Sequence, residues 1–300
     1  MDANVFSDTK VGEFYNETFI NAKIDMEKGE GRDIAKQYNV RAYPTFLFIN
    51  GDGELVHRGV GGRPVDKFIA LGEAANDPTM QLLGLEQQYN KGERGGEFMI
   101  RYAAALEDGG MDVAKVSDEY LSALDSYDDK GVMSFIYETT KQSTQKGFSI
   151  MADNLEAFSE EFGEDKVIQK VDYAIQRVHF SSLEKMAEMY EKYLPEIAKK
   201  LTAKHKMQYY MYARTKEAPK LFFEAAAAYY DEYEADDWTE LNAASWHVYE
   251  TSQGEAEFTK ACDWAKKSVE MDANYSNMDT LAALYFKLGK KRKAKKWANK

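Results

Sequence analysis

The sequence predicts two textures in one chain: an α/β segment over residues 1–76 and an all-α array of helical hairpins over 77–300. Three observations lead there. Short apolar runs alternate with amphipathic stretches only before the dipeptide Asp77-Pro78. Apolar positions at helical spacing dominate after it, and the last part of the chain repeats with a period near ~34 residues.

In the first segment, residues 19–26 (FINAKIDM) read as a strand, and residues 31–40 (GRDIAKQYNV) as a helix with Ile34, Ala35 and Tyr38 on one side. Residues 45–50 (TFLFIN) form a continuous apolar run of buried-strand length. Gly51, Asp52 and Gly53 supply a tight reversal into 54–61 (ELVHRGVG), so the two runs should pair as a hairpin. Residues 63–76 close the segment as a helix. Pro64 sits in its first turn, where the missing N–H costs nothing, and Val65, Phe68, Ile69 and Leu71 mark an apolar side.

Beyond Pro78 the pattern is helical. Val113, Val116, Tyr120 and Leu124 lie on one helical face, and Ile168, Val171, Ile175 and Val178 repeat that spacing. Breaks are expected at 107–110 (EDGG), 146–148 (KGF) and 161–165 (EFGED). Laying 246–267 over 282–300 puts Tyr249 on Tyr285, Ala261 on Ala294, Trp264 on Trp297 and Ala265 on Ala298. The stretch LAALYFKLGKKRKA, with Ala282 and Ala283 where helices approach and Gly289 in the turn, resembles the tetratricopeptide motif.

Composition narrows the function. With 39 Lys plus Arg against 51 Asp plus Glu, the net charge of −12 repels phosphate backbones, so nucleic acid is not an expected partner. The one basic run, 287–300, reads as a solvated helix face. No apolar run approaches the ~20 residues that span a bilayer, so no membrane insertion is expected. The first residues show no signal-peptide pattern. The single cysteine, Cys262, excludes an internal disulfide, a CxxC pair and a thiolate-rich zinc site.

Pro44 stands at the entry to the apolar run 45–50, where a ladder needs an N–H that proline lacks. A cis bend before the strand would reconcile the two. With this, VRAYPTFLFINGDGELVHRGVGG resembles the second half of a thioredoxin domain, in which a cis-proline loop precedes a hairpin and a final helix. Residues 1–40 are similar to the stretch that follows a W-C-x-x-C-K-x-M active site, with Met1 on its last methionine. The resemblance covers residues 1–76. It implies a partial thioredoxin-like α/β fold followed by an all-α helical-repeat domain.

The family's chemistry needs a low-pKa thiolate that attacks a disulfide and a second cysteine that resolves the mixed disulfide. Neither is present, and neither are the first two strands. The expectation is therefore a fragment of a thiol-disulfide oxidoreductase acting on protein disulfides, itself redox-inactive, with Met1 internal to a longer frame. Tyr43, Pro44 and Thr45 would be the substrate-binding edge, aligning a protein or peptide client. The resemblance places the full protein outside the cytoplasm, as in a periplasm. The rival reading is a non-catalytic thioredoxin-like, tetratricopeptide-type scaffold that only binds protein.

No cofactor, metal or catalytic residue is expected in this chain. His57, His179, His205 and His247 stand singly, and no spacing brings metal ligands together. Cys262 reads as a packed residue, and Asp25 and Asp52 as strand-end and turn residues. The aromatic stretch 207–238 reads as helix-helix core, with a subset left to face a groove.

Overall fold

A strand forms only where a neighbour supplies its hydrogen bonds, whereas a helix satisfies its own backbone; that difference shapes this chain. The computed structural model describes residue 1 and residues 4–299. Among them it holds seventeen α-helices and a single two-stranded sheet. The expected fold class, a partial thioredoxin-like α/β fold before a helical domain, is overturned. The molecule is mostly helical, and its sheet is only a hairpin. Lys300, at the end of the basic run, lies outside the described residues.

The chain divides into two units, 1–170 and 171–300. The first opens with α1 (Thr9–Thr18), α2 (Gly31–Gln37), β1 (Thr45–Ile49), β2 (Leu55–Val60) and α3 (Val65–Asn76). The Asp8 side chain starts α1 by accepting the Lys10 amide at 2.9 Å. The strand expected at 19–26 is absent. Residues 19–25 are irregular and join no ladder, because β1 pairs only with β2. Alternating apolar residues without a partner strand are not enough.

β1 and β2 run antiparallel, with Thr45 opposite Val60, Phe46 opposite Gly59 and Phe48 opposite His57, and a bulge after Phe48. The Asn50 side chain holds the turn, accepting the amides of Asp52 at 3.0 Å and Glu54 at 2.9 Å, while Gly53 takes φ +84°. The small core beneath the hairpin joins Phe48, Tyr15 and Phe68. Tyr15 stacks on Phe68 at 4.3 Å and donates its hydroxyl to the Phe68 carbonyl at 2.6 Å, fastening α1 to α3. Gly72 makes this contact possible: a Cβ there would stand 2.5 Å from the Phe14 ring.

The unit continues through α4 (Leu82–Asn90), α5 (Gly96–Asp108), α6 (Val113–Ser122), α7 (Lys130–Thr139), α8 (Lys146–Asp153) and α9 (Leu155–Phe162). Here α4 and α5 pack on β2, so the hairpin and the first helices share one unit. The breaks at Gly110 and Gly163 fall as expected, both at positive φ. The one expected at 146–148 does not: α8 starts there, and Gly147 lets it press against Thr140.

Unit two begins within α10 (Glu164–His179) and runs through α11 (Leu183–Tyr193), α12 (Ala198–Tyr212), α13 (Ala218–Glu232) and α14 (Trp238–Thr251). It ends with α15 (Glu255–Met271), α16 (Tyr275–Lys287) and α17 (Lys291–Ala298). Successive helices pack on one another around Phe222, Tyr229, Leu241, Ala261 and Leu281. α16 closes on Gly289 at φ +68°, with Lys290 N–H on the Tyr285 carbonyl and Gly289 N–H on that of Phe286, both at 2.9 Å. Trp264 is buried against Tyr230, while Trp297 is half-buried on the same core. No helix among the described residues is long and apolar enough to cross a membrane.

Candidate binding surface at the edge of the hairpin

The three residues singled out in the sequence stand together at the entry to β1. The Tyr43-Pro44 bond is cis, as the strand entry required. Thr45 donates its hydroxyl to the Ala42 carbonyl at 2.7 Å, and Gly61 donates its N–H to the Pro44 carbonyl at 2.8 Å. Tyr43 itself is 58% exposed, and among the described residues no main-chain partner meets its amide or carbonyl.

The Gly61-to-Pro44 bond sets the phase of the ladder. Bonded pairs recur at every second residue, so Phe46 and Phe48 turn their main-chain groups to β2 while Thr45 and Leu47 turn theirs away. No backbone group among the described residues meets that outer edge. Exposed apolar residues bound β1 along the chain, and others lie on segments that pack against its side chains. Ile49 ends β1 and Tyr43 precedes it. Phe6 packs edge-on against Phe46 at 6.3 Å, and Ile20, 103% exposed, follows Phe19, whose ring meets Phe48 at 5.3 Å. Ile24 is exposed further along the same irregular segment.

β2, in contrast, is anchored. Arg63 donates to both carboxylate oxygens of Asp108, at 3.0 and 2.8 Å, and to the Val60 carbonyl at 3.1 Å. Arg58 donates to the Tyr38 carbonyl at 3.2 Å. His57 is buried, and its Nδ1 accepts the Leu82 amide at 3.1 Å, capping α4 with an imidazole lone pair. Burial lowers the His57 pKa; the Asp108 carboxylate opposes that and the Arg63 charge adds to it, so the ring stays neutral and able to accept. Both strands are edge strands, and the outward main-chain groups of Val56 and Arg58 on β2 have no backbone partner among the described residues, as with Thr45 and Leu47 on β1. The difference is that α4 and α5 pack against β2.

The remaining polar groups are engaged elsewhere. Cys262 is 3% exposed and its thiol is pushed up to about 11 by burial, so it is a packed residue and a poor nucleophile. Asp25 accepts the Glu27 amide at 3.0 Å and pairs with Lys28 in a turn. His247 packs on Phe222 at 4.4 Å, and burial lowers its pKa. A groove of about 670 Å³ runs between α5, α6 and α7, but three of its four carboxylates are in use, Glu138 being the other. Asp112 caps α6, Asp118 accepts the Lys146 amide and Glu107 pairs with Lys141. The aromatic stretch is mainly core, with Phe222 and Tyr229 fully buried and Tyr212 exposed.

One buried cluster escaped the sequence reading. Asp172 accepts the Tyr190 hydroxyl at 2.6 Å and the Gln176 amide at 3.0 Å, and His205 Nε2 lies 3.0 Å from the same carboxylate. Burial raises the Asp172 pKa, but the bonds from His205, Tyr190 and Gln176 outweigh it and the net shift is downward. Tyr190 and His205 are shut off from solvent, so the cluster pins α10, α11 and α12 together. The partners lie 18 and 33 residues from Asp172, and no local spacing announces them.

No family model, curated protein or solved structure matches the chain.

Proposed function

We propose that this protein binds an extended polypeptide segment along the open edge of β1, without thiol chemistry of its own. One observation carries the proposal: the outward main-chain groups of Thr45 and Leu47 lie beside exposed Tyr43 and Ile49. Such an edge offers hydrogen bonds to any strand, and the flanking apolar side chains select an apolar one. The thiol-exchange reading would have to draw both sulfurs from outside this sequence, since its one cysteine is buried.

The test uses the full chain and a labelled peptide of alternating valine and threonine. Saturable binding is expected, with slowed amide exchange at Thr45 and Leu47, and Tyr43→Asp should weaken it about tenfold. Binding that leaves those amides unchanged, or that ignores Tyr43→Asp, would refute the proposal.

A further inference from the structure

Far along the sequence from the hairpin, the second unit carries a surface of opposite character. Between Lys287 and Lys296 the sequence holds seven basic side chains and no acidic one, in a chain whose net charge is −12. All seven are exposed, and among the described residues none is in an ion pair. Lys287 lies over the Tyr249 and Phe258 rings and Lys293 over Tyr285. Lys290, Lys291, Arg292, Lys295 and Lys296 have no such contact.

The packing of α17 explains which way this charge points. Ala294 is buried and Trp297 is half-buried on the core, so the apolar stripe faces inward and the basic residues line the outer face. The arrangement is not favourable for the helix itself. Lys291, Arg292 and Lys293 occupy its first turn, where the backbone dipole is positive, with no acidic residue there and no side-chain cap at Lys290. Seven like charges in ten residues repel each other as well. An external anion relieves both penalties.

We propose that the outer face of α17 docks a carboxylate-rich protein segment. Charge complementarity selects an anion, and two features select this kind. Lys291 and Lys295 form one i, i+4 row, and Arg292 and Lys296 a second. Each row spans about 6 Å along the axis, close to the roughly 6.6 Å between alternate side chains of an extended chain. The face is also short, about 12 Å over the eight helical residues, and the acidic remainder of the protein repels any polyanion long enough to extend past it.

The experiment measures fluorescence anisotropy of a labelled peptide of about five residues, alternating glutamate and serine so that it matches the length of the face, titrated with the full chain. Saturable binding is expected at about 50 mM NaCl, falling about tenfold or more at about 300 mM. Lys291→Glu/Lys295→Glu should weaken binding by about tenfold at the lower salt, and Lys291→Gln/Lys295→Gln by less. Lys291 and Lys295 are both exposed, so neither variant should lower the parent's thermal midpoint. Three results would overturn the proposal: no binding at low salt, equal binding by the charge-reversed variant, or tighter binding of an oligothymidylate of equal charge or of phosphatidylserine vesicles.

Discussion

The hairpin and the helical array bury their aromatic residues with unequal success. In the array, Phe222, Tyr229 and Tyr190 are fully enclosed, although Tyr212, Tyr275 and Phe286 stand exposed on its surface. At the hairpin, Phe46 and Phe19 are only partly covered, and Ile20, Ile24, Tyr43 and Ile49 are exposed. Both regions have enough apolar residues; they differ in how the backbone is satisfied. A helix closes its own hydrogen bonds and is free to pack in any direction, whereas a two-stranded sheet leaves both outer edges without backbone partners. An incomplete sheet is thus a surface in waiting, while a complete helical pair is a core.

The largest effect that could break this comparison comes from the array. Phe222→Ala should cost about 3–5 kcal/mol, read as a lower denaturant midpoint, because a fully buried ring is lost from a packed site. A loss below about 1 kcal/mol would mean the array is as loosely packed as the hairpin. In the hairpin unit, Gly72→Ala should cost about 1–3 kcal/mol, since the new methyl meets the rings of Phe14 and Tyr15 and Tyr15 is buried in its stack on Phe68. Circular dichroism melts of the variant and parent decide that case.

The smallest effect expected is on pH dependence, through His57. Its folded pKa lies below the usual 6.5, so the unfolded chain binds the proton more readily. His57 therefore contributes stability that is fully present above pH 6.5 and is lost as pH falls through the depressed folded value. Protonation also removes the lone pair that caps α4. Comparing denaturation of the parent and His57→Gln from neutral pH downward isolates the term; the parent should lose more stability than the variant. Parallel curves would show that His57 does not sense the proton.

Much of the local structure was legible. The hairpin, its reversal at Gly51, Asp52 and Gly53, the cis bond at Pro44 and the helices beyond Pro78 follow from short-range rules of turn chemistry and periodicity. What failed was long-range. Residues 19–26 have strand alternation, but alternation says nothing about whether a partner strand exists, and the expected α/β fold fell with it. α1 was missed, although Asp8 before Thr9 is a cap signal. The Asp172, Tyr190 and His205 cluster needed three helices brought together before it could be seen. The cis bend at Tyr43 and Pro44 before the strand was readable; the anchoring of β2 through Arg63, Asp108 and His57 was not.

Residue-resolved amide exchange in the free protein tests the open edge most directly. Phe46 and Phe48, bonded to β2, should exchange at least about tenfold more slowly than Thr45 and Leu47, whose amides point away from the ladder. Uniform protection along β1 would mean that another backbone covers the edge, and the surface proposed for polypeptide binding would not exist.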